Sequence, residues 1–487
     1  MAGPAAVLGL LALAACAAAA LAWPTPRGRA LGQAAAMIIA PVLLVAEVAG
    51  SAQLHSIGRH PAVAAAGGTL GLVALVLLAR ALGRRPGLLP VAAVLALPFR
   101  VPIQAGGTTA NLLLPLYAVI AAGTLAALWR VWRGRAAGEA SQPPGALARV
   151  LAATVLLYGL QAAYSSDVAK ALQQVVFFYA PFALLFALLV RHEWNRRQLV
   201  HCLAALVGLA LVFGALGFYE WQTKTLLLNP RLLVSNDFHA YFRVNSFFFD
   251  PNVYGRFLAV VMLAVLGTML YVAERRILVA GAIVLAVLWG SLVLTLSQSS
   301  LAALLFGMAV LAALRWSARW TLATLGAVAV VAALAALIFP SALGVNLSSA
   351  KTVNTATSGR VDLIGGGLGL FESRPLTGFG SASFTREYRR RHRAGGTGQA
   401  VSASHTIPVT VAAEQGVPGL LLYVALLVVA TLTLTRRAAG DPARTVVAAA
   451  FLALVLHTFT YADFLEDPLA WVLLAAGAAL ARVPAPS

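Results

Sequence analysis

Charge is scarce in this 487-residue chain: 10% of residues are Asp, Glu, Lys or Arg, 61% are hydrophobic, and the mean hydropathy is +0.86. A soluble globular domain carries roughly 25% charged residues, so an ordinary water-soluble enzyme is excluded. Disordered, collagenous and coiled-coil chains are excluded by the same composition. Cysteine is scarcer still. Cys16 and Cys202 lie far apart in apolar runs without metal-ligand spacing, so no disulfide framework or zinc site can be read, and both read as small core hydrophobes. Also lacking are a metalloprotease HExxH, a DxD, a P-loop, a dinucleotide-binding glycine pattern and a serine elbow. Acidic residues are few, 16 against 35 basic, for a formal net charge of +19.

What is present is apolar sequence in long runs. About 20 such residues make one membrane crossing, so the chain has room for more than a dozen helices. The runs fall near 5–23, 31–50, 62–82, 87–99, 109–129, 149–165, 174–191, 198–218, 255–274, 277–297, 299–314, 320–339, 406–435, 443–461 and 467–482. The fourth is short enough to be tilted or re-entrant. The first lacks the basic region of a signal peptide, because Arg27 and Arg29 follow it, and it reads as a span with its N-terminus outside. The fold class is therefore all-α, a polytopic integral membrane helical bundle of about 12–15 transmembrane helices.

With that topology, Arg27/Arg29, Arg84/Arg85, Arg130/Arg133/Arg135, Arg191/Arg196/Arg197, Arg275/Arg276, Arg315/Arg319, Arg436/Arg437 and Arg482 all fall on one side. The positive-inside rule makes that side the cytoplasm, and most of the net charge is orienting information, not a nucleic-acid footprint. One outward loop, 340–405, breaks the rule with eight basic residues (Lys351, Arg360, Arg374, Arg386, Arg389, Arg390, Arg391 and Arg393) against Asp362, Glu372 and Glu387. The run at 389–393 reads equally as a solvated or headgroup-facing segment. A second outward loop, 219–254, carries Arg243, Asp250 and Asn252.

These loops hold the candidate chemistry. Residues 358–384 read as a short amphipathic helix ended by Pro375 and followed by a glycine-punctuated loop. Arg360 at the head of that helix, and Arg374 beyond it, suit a phosphate or diphosphate through bidentate, charge-assisted hydrogen bonds. His405 stands directly before an apolar helix, where the positive end of the dipole favours the neutral imidazole that a general base needs. Glu414 is an ionisable residue at membrane depth, a functional candidate or a structural acceptor. A regular helix would put it about 180° from His405, but Gly416, Pro418 and Gly419 argue against regularity. Asp250 and Asn252 read as a helix cap or as ligands, and Arg243 as a ligand. Glu47, His457, Asp463, Glu466 and Asp467 are further polar residues in or near spans, the last three in an outward hairpin.

The stretches FFFDPNVYGRFL, LTLSQSSLAALL, SGRVDLI, RPLTGFGSASF and HTIPVTVAAEQGVPG, in this order over roughly 200–425, resemble the O-antigen ligase and polymerase superfamily. His405, Thr406, Gly416 and Gly419 match the family's His, small polar residue, nine residues, Gly-x-x-Gly pattern, with Thr in place of the usual Asn, Ser or Gln. Arg360 with Ile364 nearly matches its Arg-x-x-x-Leu motif, whereas Ser297-Gln298-Ser299 departs from its Ser-Arg-Gly. The resemblance implies a bundle like that of the C-type glycosyltransferases, with short helices in a large extracytoplasmic loop. It implies N-terminal spans over 1–197, a catalytic core over 198–435 and C-terminal spans over 436–487. It also implies metal-independent, inverting transfer of a glycan from an undecaprenyl-diphosphate carrier to a glycan or lipid-core acceptor at the outer face of the bacterial cytoplasmic membrane, without a cofactor. His405 is then the candidate base, Glu414 a second catalytic candidate, and Arg360 and Arg243 diphosphate ligands with Asp250, Asn252 and Arg374 nearby. Ligation, polymerisation and protein O-glycosylation stay open within this class, and a lipid-linked glycan flippase is the alternative outside it. The expected partners are the lipid-linked donor, the acceptor and membrane lipids, with no nucleic acid.

Overall fold

The computed structural model describes residues 3–48, 61–105, 108–134, 143–228, 242–324, 326, 360–392, 406–461 and 463–482. Helices dominate: α1 (Pro4–Ala22), α2 (Pro26–Val48), α3 (Pro61–Arg84), α4 (Leu88–Ala96), α5 (Leu114–Trp132) and α6 (Ala146–Ala162) come first. After α4 the chain forms an antiparallel hairpin of β1 (Val101–Ala105) and β2 (Thr108–Leu112), pairing Ile103 with Ala110. Then follow α7 (Val168–Leu189), α8 (Arg196–Thr223), α9 (Pro251–Met269), α10 (Arg275–Thr295) and α11 (Gln298–Thr324). The set closes with α12 (Arg360–Ser373), α13 (Phe384–His392), α14 (Ile407–Thr435), α15 (Pro442–Thr460) and α16 (Pro468–Leu480).

Among the described residues, eleven helices are long and apolar enough to cross a membrane, and α6 and α16 are shorter apolar helices. With no water in a bilayer core, each backbone polar group must be satisfied within the protein, and helices do this along their own length. Burial sorts the spans. The apolar stretch of α7 is 83% buried and that of α3 is 0% buried, so α7 is core and α3 faces outward over most of its length, with Leu82 near its end packed inside. One core joins α1, α5, α6, α7, α14, α15 and α16, with Trp471, Phe182 and Phe186 among its largest members. A second joins α8, α9, α10, α11 and α15 around Phe213, Tyr254 and Leu263. A small third one (Leu363, Leu370, Phe379, Phe384, Tyr388 and Ala413) seats α12 and α13 on α14.

Two differences from the sequence reading have physical causes. The spans expected at 299–314 and 320–339 begin as one helix, α11, which runs through Arg315 and Arg319 with a π-helical turn at Ala313–Ser317. No proline or glycine lies between Ala313 and Thr324, and Arg315 is accommodated by donating to the Leu270 carbonyl (3.4 Å) and lying over the Tyr271 ring. The rest of the 320–339 run lies outside the described residues. The short fourth run ends at Ala96 and hands over to the β-hairpin, which the apolar spacing did not announce.

Candidate active site

The site begins with a proline. Pro418 in α14 has no N–H to give the Glu414 carbonyl, and its ring excludes that carbonyl from the helical position. The helix breaks two residues earlier: Gly416 takes φ 65°, ψ −161°, outside helical space. In an apolar environment the freed carbonyls need new donors. The Ala413 carbonyl accepts from the N–H of Phe379 (3.2 Å), that of Glu414 from the N–H of Gly380 (2.8 Å), and that of Gln415 from the Gln161 side chain (2.9 Å). Val417, displaced from its own helix, donates to the Pro375 carbonyl (2.7 Å).

The 374–384 segment is thus the plug that repairs the break. It must come very close, and its glycines allow that. A Cβ on Gly378, whose φ is +63°, would lie 2.2 Å from the Glu414 carbonyl oxygen. The plug is also laced to the turn between α6 and α7. Tyr164 donates to the Thr377 carbonyl (2.8 Å), Ser165 to that of Ser381 (2.7 Å), and Ser166 through its N–H to that of Phe379 (3.1 Å). Glu414 itself is buried, and its two carboxylate oxygens accept from the N–H groups of Ala382 (2.8 Å) and Phe384 (3.0 Å). These two bonds fix the entry to α13. Glu414 therefore positions the plug.

Beside the plug opens a cavity of about 450 Å³. Its walls come from α14, from α6 and α7, and from the hairpin between α15 and α16. Thr410, Glu414, Tyr158, Lys170, Gln174 and Glu466 are among the polar residues lining it. Tyr158 and Tyr179 stack with ring centroids 4.2 Å apart. Gln174 links the parts: its amide donates to Glu466 Oε1 (2.7 Å), and its oxygen accepts from the Tyr158 hydroxyl. Lys170 reaches Thr385 Oγ1 (3.4 Å), at the start of α13. Burial, and after it the neighbouring Asp463 carboxylate, push the Glu466 carboxyl up to about 8, with Lys170 and Arg100 opposing. At neutral pH Glu466 is therefore mostly a protonated acid able to donate a hydrogen bond.

The sequence candidates separate on this frame. His405 lies outside the described residues; Thr406, next to it, stands at the N-cap position of α14, and its hydroxyl donates to the Phe459 carbonyl (3.2 Å). Arg360 is the first residue of α12, with its side chain outside the description. Arg374 is exposed and sits over the Phe379 ring (4.7 Å), a ring it shares with Arg391 (5.2 Å). Asp250 caps α9, accepting from the Asn252 N–H (2.6 Å). Asn252 Oδ1 accepts from Ser297 Oγ (2.8 Å) and Arg243 (3.3 Å), and Arg243 Nε donates to the Thr295 carbonyl (3.0 Å). These three tie the 242–252 loop to α10 and α11. Of the candidates, Glu414 lines the cavity, whereas Arg243, Asn252 and Arg374 are not among its lining residues. A buried ion pair, Arg256 with Asp467 (2.8 Å), links α9 to the hairpin whose Asp463 and Glu466 reach the cavity.

Lys170, Gln174, Tyr158 and Tyr179 were missed by the sequence reading. A span drawn from 174 left Lys170 in a loop, whereas α7 starts at Val168 and carries it inside. Its signal was rarity: the chain has three lysines against its many arginines. Among the described residues, no three His, Cys, Asp or Glu side chains converge as a metal site.

The class defined by fold and site is a polytopic α-helical membrane protein with a polar cavity at a broken helix. Residues 283–424 match the family model described as O-Antigen ligase, a stretch that holds the Gly416 break, the plug, α11 to α13 and parts of α10 and α14. No curated protein is significantly similar to the chain. The resemblance carried by the motifs is thereby borne out over residues 283–424, which are similar to the O-antigen ligase family.

Proposed function

We propose that this protein transfers a glycan from an undecaprenyl-diphosphate carrier to an acceptor hydroxyl at the outer face of the bacterial cytoplasmic membrane. The observation that carries the reading is the position of the family's Gly-x-x-Gly break. Gly419 and Gln415, on either side of the Gly416 break, line the 450 Å³ cavity, at the end of the bundle opposite the arginine-rich turns. The positive-inside rule then turns the cavity outward.

In the proposed step, His405 takes the proton of the acceptor hydroxyl. The acceptor oxygen bonds to the anomeric carbon, and the bond from that carbon to the diphosphate oxygen breaks with inversion. The electron pair leaves on the diphosphate. Diphosphate is already a good leaving group, so positioning and charge stabilisation are the main requirements. Arg360 and Lys170 supply positive charge to it, and Arg243 holds the 242–252 loop. Glu466, as a neutral acid, and the stacked Tyr158 and Tyr179 offer hydrogen bonds and aromatic faces to sugar hydroxyls and rings. No metal takes part in this scheme.

The test is incubation of purified protein with a defined lipid-diphosphate glycan and a panel of sugar, lipid-core and peptide hydroxyl acceptors. Covalent product is expected with wild type, and His405→Ala should lower its rate about 10²–10⁴-fold with membrane insertion unchanged. Normal transfer by His405→Ala would overturn the mechanism. Movement of the lipid-linked glycan across proteoliposomes without covalent product would overturn the function.

A further inference from the structure

A second cavity, of about 310 Å³, lies at the opposite, arginine-rich end of the bundle. It is bounded by α2, α5, the end of α7 and the turns leading into α4 and α8. Its polar lining includes Arg29, Gln33, Arg130, Arg191, Glu193 and Gln198. Three guanidinium groups thus face one carboxylate among the described lining residues. Arg29 and Gln33 are buried, at 2% and 4% exposure, so this is not a solvated surface run. Arg482 adjoins the cluster by donating to the Val190 carbonyl (3.3 Å), one residue from Arg191. Burial lowers the pKa of Arg191 to about 10, with the charges of Arg29 and Arg482 adding to the effect.

Part of this cluster has a structural occupation. Arg29 donates to the carbonyls of Trp23 (3.0 Å) and Pro24 (3.1 Å), and Arg191 to that of Ala20 (3.3 Å), so both serve the C-terminal end of α1. Capping carbonyls explains why arginines stand there. It does not explain a cavity of this size kept open between them, nor Arg130 on its far wall. The remaining walls are apolar, from α3, α4 and α5. A basic recess with apolar sides, between helices and level with a membrane surface, has the chemistry of a phosphoryl headgroup site.

We propose that this cavity binds a phosphoryl anion, with Arg130 and Arg191 as principal ligands, either as the headgroup of an anionic phospholipid or as free phosphate or diphosphate. The site is independent of the transferase reading, because it lies at the other end of the bundle and uses none of the same residues.

The experiment uses the full-length protein purified in detergent. Retention of phosphatidylglycerol against phosphatidylcholine is followed by native mass spectrometry, and thermal protection by inorganic phosphate or diphosphate is measured in parallel. The variant is Arg130→Gln/Arg191→Gln. The control is Arg84→Gln/Arg85→Gln, which removes the same charge from exposed positions at the same end. Wild type should retain phosphatidylglycerol preferentially, with binding weakened roughly tenfold or more in the cavity variant and little changed in the control. Protection by phosphate alone, with the same dependence on Arg130, would assign the site to the free anion. Equal loss in variant and control, or no preference for any phosphoryl probe, would overturn the proposal. If the double variant fails to accumulate, Arg130→Gln alone is read, since Arg130 caps no carbonyl among the hydrogen bonds described.

Discussion

At the arginine-rich end of the bundle, helix carbonyls are satisfied by long side chains. Arg29 donates to Trp23 and Pro24, Arg191 to Ala20, and Arg482 to Val190. At the other end, the carbonyls of Ala413 and Glu414 are satisfied by the backbone N–H groups of Phe379 and Gly380, each 34 residues earlier, and that of Gln415 by a side chain from α6. The first arrangement is forgiving, because a guanidinium on a flexible stem finds a carbonyl from many positions. The second is a fit of backbone against backbone, with no slack for a methyl group at Gly378. A bundle can therefore carry many arginines for orientation at one end and concentrate its structural demands at the other, where the cavity is.

The largest expected effect tests that contrast directly. Gly378→Ala puts a Cβ 2.2 Å from the Glu414 carbonyl oxygen at a backbone φ of +63°, where neither the space nor the conformation admits it. The plug must lift, leaving the carbonyls of Ala413 and Glu414 without donors in an apolar setting. At roughly 1–3 kcal/mol for each buried unsatisfied group, the variant should lose several degrees of thermal stability and nearly all glycan transfer. Thermal unfolding in detergent and the transfer assay check it. Wild-type behaviour would mean that the break in α14 does not depend on the plug.

The break itself was legible: Gly416, Pro418 and Gly419 within one apolar run argue for an irregular helix from composition alone. Its repair was not, since the partners of the freed carbonyls sit at Phe379, Gly380 and Gln161, and hydrogen-bond pairing across such separations leaves no local trace in sequence. Span boundaries limited the site in the same way. Starting α7 at 174 placed Lys170 in a loop, whereas Gln174 and Tyr179 fell inside the expected span but gave no sign that they face a cavity. The helical class and the spans over 198–218, 255–274 and 406–435 needed only apolar run length, and each lies within or beside the helices found there. Arg315 and Arg319 show the converse error: charges read as a turn are carried on a continuing helix.

An intermediate effect concerns pH at the cavity. The Glu466 carboxyl keeps its proton up to about 8, whereas the unfolded chain loses it near the ordinary value of 4.5. Between those values the folded protein binds more protons than the unfolded one, so this group makes stability fall as pH rises. The contribution is fully present below the ordinary value and lost once the pH passes about 8. The melting temperature should decline from pH 5 toward pH 8, and Glu466→Gln, which keeps a neutral side chain there, should flatten the decline. Equal slopes in the two proteins would show that Glu466 ionises normally and donates no hydrogen bond into the cavity near neutrality.

The smallest effect belongs to the forgiving end. Arg482 donates one hydrogen bond to the Val190 carbonyl just past α7, and a cation at a helix C-terminus is worth about 0.3–1 kcal/mol at the surface. Arg482→Gln retains a donor and removes a charge that also lowers the pKa of Arg191. The capping lost and the repulsion relieved therefore oppose each other. Thermal stability should change by no more than about 1 kcal/mol, and glycan transfer at the far end should be unaltered. A loss comparable to that of Gly378→Ala would show that the arginine cluster is as closely fitted as the plug, and the distinction between the two ends would fail.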